Sequence, residues 1–182
     1  MAYASWRKRP YLLPAINYLW LAFVAFVPQL VAFYLPASRG HLSDNWASVS
    51  LVVSQVLLLL FAWTNRKLAG MWLLILGLAL NLLVIIANGG YMPISPATAG
   101  HLVPAAVVNS MELGSRFGFG KDVLLLPEST HLVWLSDRFL LPEWLGHPVA
   151  FSLGDICVAI GIFWLLLRQG IPLKILERFK SK

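Results

Sequence analysis

Four apolar stretches, each close to the thickness of a bilayer in length, leave this chain few ways to fold. A hydrocarbon core of ~30 Å takes about 20 helical residues at a rise of ~1.5 Å each. Residues 16–35 meet that length between Pro14 and Pro36. Residues 47–63 are fewer but uncharged, and contain the run Val56-Leu57-Leu58-Leu59-Leu60-Phe61. Residues 70–88 follow after a short turn, so the second and third stretches should form an antiparallel hairpin. Residues 149–167 hold a single acid, Asp155. Composition agrees: 59% of the 182 residues are apolar and 12% charged, against roughly 45–50% and about 25% in soluble domains. Those numbers argue against an ordinary water-soluble enzyme, and equally against a disordered chain. The expectation is an all-α integral membrane protein, a single domain over 1–182 with four transmembrane helices. To these is added an outer interfacial segment, 89–148, with a short amphipathic helix.

The charges orient that arrangement. Arg7, Lys8 and Arg9 precede the first stretch, Arg66 and Lys67 lie in the short turn, and Arg168, Lys174, Arg178, Lys180 and Lys182 close the chain. With both termini cytoplasmic, these ten cations fall inside, and Arg39, Arg116, Lys121 and Arg138 fall outside. Lysine and arginine favour the cytoplasmic side, so the expected location is a bacterial cytoplasmic membrane, multi-pass, with both termini inside. The same placement explains the net charge of +6 without a nucleic-acid partner; the lipid bilayer and proteins of a membrane complex are the expected partners. The first stretch is expected to be an anchor. It exceeds the ~7–15 apolar residues of a secretory signal, and Pro36-Ala37-Ser38-Arg39 offers no Ala-x-Ala-like cleavage site. Cys157 is the lone cysteine, which excludes an intrachain disulfide and a thiolate cage.

Residues 89–148 are far longer than a connecting turn, and loops of that length are functional or structured. They are too apolar for a free ectodomain and too interrupted by Pro93, Pro96, Pro104, Pro127 and Pro142 for another span. Over 131–141 a helical wheel puts Leu132, Val133, Leu135, Phe139 and Leu140 on one arc and His131, Asp137 and Arg138 on the other. That pattern predicts an amphipathic helix capping the outer mouth of the bundle, apolar arc inward and Asp137 and Arg138 toward water or headgroups. Trp134 and Trp144 suit that depth. Glu112, Asp122, Glu128, Asp137 and Glu143 read as solvated rim charges.

Several short motifs occur in order along the second half. Asn88-Gly89-Gly90-Tyr91-Met92-Pro93 is followed by Thr130, by Leu135-Ser136-Asp137, by Pro142, and by Ser152-Leu153-Gly154-Asp155 with Gly161. In this order and spacing, across roughly 70–168, the chain resembles a bacterial integral-membrane family known only as a domain of unknown function. The resemblance implies a small polytopic membrane protein and no established activity.

Asp155 is the strongest candidate side chain. A carboxylate within a membrane helix costs ~2.5–3.5 kcal/mol at mid-depth and normally faces a partner or water. It reads either as a ligand, ion or proton site or as a structural group that caps a helix end or pairs with Arg116, Lys121 or Arg138. Asn81 and Asn88, seven apart on the third helix, should hydrogen-bond to neighbouring helices, with Ser54 and Gln55 as candidate partners. Gly89 and Gly90 should take positive φ at the helix end, and Gly154 and Gly161 should admit a close helix. The resulting candidate ligand or partner pocket comprises Asp155, Asn88, Asp137, Arg138, His131 and Trp134. The histidines, His41, His101, His131 and His147, match no zinc spacing, and no metal site is assigned. No cofactor is required by the sequence; a chlorin held by one outer histidine, or a quinone, stays open. There is no Gly-x-Ser-x-Gly elbow and no phosphate loop, and no catalytic residue is assigned.

Two function classes result. One is a non-catalytic module: an accessory subunit, or a binder of lipid, quinone or pigment, within a membrane complex. The other is a small carrier or intramembrane enzyme using Asp155 and outer-side polar residues.

Overall fold

The computed structural model describes residues 15–142, 144, 146 and 148–168. The basic clusters at both chain ends, apart from Arg168, and Glu143 and His147 lie outside these residues. The protein is mostly helical, with seven α-helices among the described residues. Helix α1 (Leu19–Gln29) runs on into a π-helical turn over Leu30–Tyr34. A short α2 (Pro36–Arg39) leads to α3 (Asp44–Thr64), and α4 (Met71–Ala87) follows. After two short helices, α5 (Pro96–Ala99) and α6 (Ala105–Asn109), the last long helix is α7 (Leu153–Arg168).

Each expected span therefore contains a helix, but the boundaries differ. Among the described residues only α3, at 21 residues, is long and apolar enough by itself to cross a membrane. The others are trimmed at their ends for local reasons. Pro36 holds Leu35 extended at φ −75°, ψ 119°. Gly89 and Gly90, at φ 76° and 89°, end α4, with the Gly90 N–H bonding back to the Ile85 carbonyl at 2.8 Å. Residues 149–152 are not helical, because Ala150 and Phe151 form a strand.

Helix α4 packs antiparallel against α7 through four glycines. A Cβ on Gly77 would lie 2.4 Å from the Gly154 carbonyl oxygen, and one on Gly161 would lie 2.8 Å from the Gly70 oxygen. The backbones touch at two levels one heptad apart, and only hydrogen side chains allow it. Helix α3 packs against both α1 and α4.

The segment after α4 is not a helical cap. Strand β1 (Met92–Ile94) pairs in parallel with β2 (Asp122–Leu124), Met92 opposite Asp122 and Ile94 opposite Leu124. A second pair, β3 (Phe139–Leu140) with β4 (Ala150–Phe151), is antiparallel. The segment packs onto one end of the bundle, where Tyr91, Met92 and Val123 join Phe33, Ala47, Leu51, Val84 and Ile85 in a common core. The amphipathic helix expected over 131–141 is absent. Those residues form one 3-10 turn, Val133–Leu135, and then strand β3. The wheel is reversed in part: extended backbone after the turn buries Asp137 at 1% exposure, while Leu132, left-handed at φ 55° before the turn, is exposed. Arg138 does face out, and Leu135 does pack against the core.

Candidate functional site

Where α7 begins, Ser152 and Asp155 close a capping box. The Asp155 N–H donates to Ser152 Oγ at 3.1 Å, and the Ser152 N–H donates to Asp155 Oδ2 at 3.0 Å. Asn81 of α4 locks onto the same pair. Its Nδ2 donates to Asp155 Oδ1 at 2.8 Å, and its Oδ1 accepts from the Ser152 hydroxyl at 2.8 Å. Asp155 thus sits in the first turn of its helix, Oδ2 capping that turn and Oδ1 joining α7 to α4. The Ser-x-x-Asp spacing was the sequence signal for this arrangement, and it is overlooked when the span is started at 149. Asn81 bonds across helices as expected, but to α7; Ser54 Oγ and Gln55 Oε1 are buried without hydrogen-bond partners among the described residues.

Asn88, just past α4, fixes the loop above it. Its Nδ2 donates to the His131 carbonyl at 2.9 Å and its Oδ1 accepts the His131 N–H at 3.0 Å. Asn65 does the same at the opposite end of the bundle, bracketing the backbone of Asn17 at 2.8 and 2.9 Å.

A charged cluster lies in the strand segment. The Lys121 ammonium donates to Asp122 Oδ1 at 3.1 Å and to Asp137 Oδ2. Strand β1 places Asp137, whose N–H bonds to the Pro93 carbonyl at 3.1 Å. Burial pushes the Asp137 carboxyl up to about 7, with Asp122 and Asp155 adding to the rise and Lys121 opposing it. Burial alone would lower the Lys121 pKa, but the two aspartates outweigh it and hold the ammonium charged above its ordinary range. The second Asp137 oxygen, Oδ1, is buried without a hydrogen-bond partner among the described residues. Asp137 is therefore no rim charge.

Lys121 and Asp122 also form one side of a cleft of about 460 Å³, whose other residues are Gln29, Phe33, Tyr34, Phe119 and Gly120. The opposing wall is built by a break in α1. Pro28 has no N–H for the Val24 carbonyl, and the ladder continues as the π-turn, with the Leu35 N–H bonding to the Leu30 carbonyl at 2.9 Å. In an α-helix Gln29 and Tyr34 would point about 140° apart; the wider i→i+5 turn brings them toward one side. Arg116, over the Phe33 ring at 5.8 Å and paired with Asp44 at 3.4 Å, holds that wall to the start of α3.

The structure brings the six residues singled out from sequence together in part, with the Asp155 charge acting on Asp137. Asp155 is in the α4–α7 junction, Asn88 and His131 form the loop bracket, and Asp137 lies behind Lys121. Arg138 stacks over the exposed Trp134 ring at 4.7 Å. None of the six lines the cleft. Of its residues the sequence singles out Lys121, as a candidate partner of Asp155, and Asp122, as a rim charge; the unused signals for the cleft are Pro28-Gln29 inside an apolar stretch and Lys121-Asp122 after a glycine-rich run. His41, His101 and His131 are exposed, and the described residues contain no group of three His, Cys, Asp or Glu placed to hold a metal ion.

Comparison with curated proteins and with solved structures finds no match. A family model described as a family of unknown function, DUF5317, matches residues 14–167. Its match takes in all four long helices, the capping box and the cleft, and the chain belongs to this family.

Proposed function

We propose that the chain is a multi-pass protein of a bacterial cytoplasmic membrane, its four long helices crossing the bilayer with both termini inside, and that it serves as a non-catalytic binding module for a small amphiphile. The observation that supports the membrane reading is the apolar exterior of the bundle. Buried helix positions mix small or polar residues, Ala25, Ala32, Ala47, Ser54, Ala62, Gly77 and Asn81, with large apolar ones such as Phe33, Leu51, Phe61, Leu78, Val84 and Ile85. The exposed ones are large and apolar, among them Phe23, Phe26, Leu60, Leu83, Ile86, Phe163 and Leu166. Water disfavours so many large apolar side chains on helix surfaces, whereas lipid accepts them, and close packing and internal hydrogen bonds then help to join helices. Only 22% of the most apolar window of α3 is buried, which does not suit the core helix of a soluble fold. The three shorter helices, at about 24–25 Å, fit a bilayer that thins locally or meets them with flanking aromatic residues.

The cleft between the π-turn and residues 119–122 supports the binding role. Asp155 lends less to a carrier or an intramembrane enzyme, because one of its oxygens bonds to Asn81 of α4 and the other caps the start of α7. Native mass spectrometry of the full chain, extracted in mild detergent, tests the reading. A mass excess of one small amphiphile per chain is expected. A second protein in fixed ratio, with no small molecule, would overturn the ligand module in favour of an accessory subunit.

A further inference from the structure

We infer that the cleft receives the ring of a quinone or quinol, a neutral head with hydrogen-bond acceptors or donors on a flat unsaturated ring, its apolar tail lying along the exposed flank of α1. This deepens the binding reading above and rests on it. Three aromatic side chains, Phe33, Tyr34 and Phe119, line a space that a flat ring can enter edge-on or stacked. The polar groups among them come in both senses. Lys121 Nζ has three N–H groups, of which two are directed to Asp122 and Asp137, and the half-buried ammonium carries the third at the cleft wall. Asp122 uses Oδ1 on Lys121, leaving Oδ2 to accept. The Gln29 amide can do either. A quinone carbonyl would accept from Lys121 or Gln29, and a quinol hydroxyl would donate to Asp122 or Gln29.

Charge selects against the other amphiphiles of a membrane. The Lys121 ammonium already faces two carboxylates, so the set has no positive charge to spare for a phosphate, and a phospholipid head would compete with Asp122 and Asp137 for the same N–H groups. A neutral head meets no such conflict. The tail has a path, since the Phe26 ring lies 5.9 Å from the Tyr34 ring and continues into the exposed Phe23, Val27 and Leu30.

The test is equilibrium binding of ubiquinone-1 to the full chain in mild detergent, for wild type, Phe119→Ala and Gln29→Leu, with the thermal midpoint of each. Saturable binding of one quinone per chain is expected, weakened at least about tenfold by each variant while each variant still unfolds in one cooperative transition. Lys121 is left intact, since removing it would strand Asp137. Wild type that is folded and binds no ubiquinone-1, binding that both variants retain at full strength, or displacement of the quinone by equimolar dihexanoylphosphatidylcholine would each overturn the assignment. A chain that fails on ubiquinone-1 yet carries another small amphiphile on extraction would lose only the ligand class; one that carries none would lose the binding reading itself.

Discussion

Asp137 pairs one carboxylate oxygen with Lys121 and buries the other without a partner among the described residues, and this makes it the side chain with the clearest pH signature. Its carboxyl is pushed up to about 7 in the folded protein, chiefly by burial, while an unfolded aspartate titrates near ~3.9. Between those values the native state binds more protons than the unfolded state, so this group's contribution to stability falls as pH rises through that window and is constant above it. Lys121, raised instead, contributes stability that is full below the ordinary lysine pKa and is lost only at more alkaline pH. Thermal unfolding in detergent at about pH 5 and about pH 8 should therefore show a lower wild-type midpoint at the higher pH, and Asp137→Asn should flatten the difference. An unchanged slope in the variant would place the titration elsewhere. From sequence, Asp137 was one of five acids in a broken segment, and a helical period put it on the wet arc. What buries it is a bridge to Ile94 and a lysine sixteen residues away, long-range pairings that periodicity does not carry.

At the scale of elements, the helices were legible as apolar runs and their ends were not. Proline, paired glycines and a capping box set those ends within a few residues, and a window of apolar residues averages over all three. The glycine contact between α4 and α7 was half visible: Gly154 and Gly161 at a heptad spacing suggested a close neighbour, whereas Gly70 and Gly77 as its counterpart needed the antiparallel register. Gly154→Leu should be costly, since even a Cβ there would lie 2.0 Å from Asn81 Oδ1 and 2.7 Å from the Gly77 oxygen. Forcing the helices apart should destabilise by about 3 kcal/mol or more and release the Ser152–Asn81–Asp155 bonds. Gly114→Ala is the comparison: its φ of 85° strains a side chain, yet nothing lies within 4 Å, so the cost should stay near ~1 kcal/mol. Unfolding midpoints in one detergent would rank the pair. Equal losses would mean that strain, not helix contact, governs both.

For the whole molecule, a helical bundle carries many large apolar side chains on its exterior, with a strand-built segment seated on one end as a cover. Composition made the apolar exterior legible from the start. The cover's architecture was hidden because strands of two or three residues leave almost no pattern, and the cleft because its walls come from a π-turn and a loop about ninety residues away. The central claim is that the bundle crosses the membrane with this cover outside, and cysteine accessibility measures it most directly. In a Cys157→Ser background, Leu113→Cys reports on the cover and Lys67→Cys on the turn between α3 and α4, both at exposed positions. On intact cells a membrane-impermeant maleimide should label Leu113→Cys at once and Lys67→Cys only after the membrane is opened. Labelling of Lys67→Cys alone would invert the topology, and equal labelling of both across a sealed membrane would contradict the spanning bundle altogether.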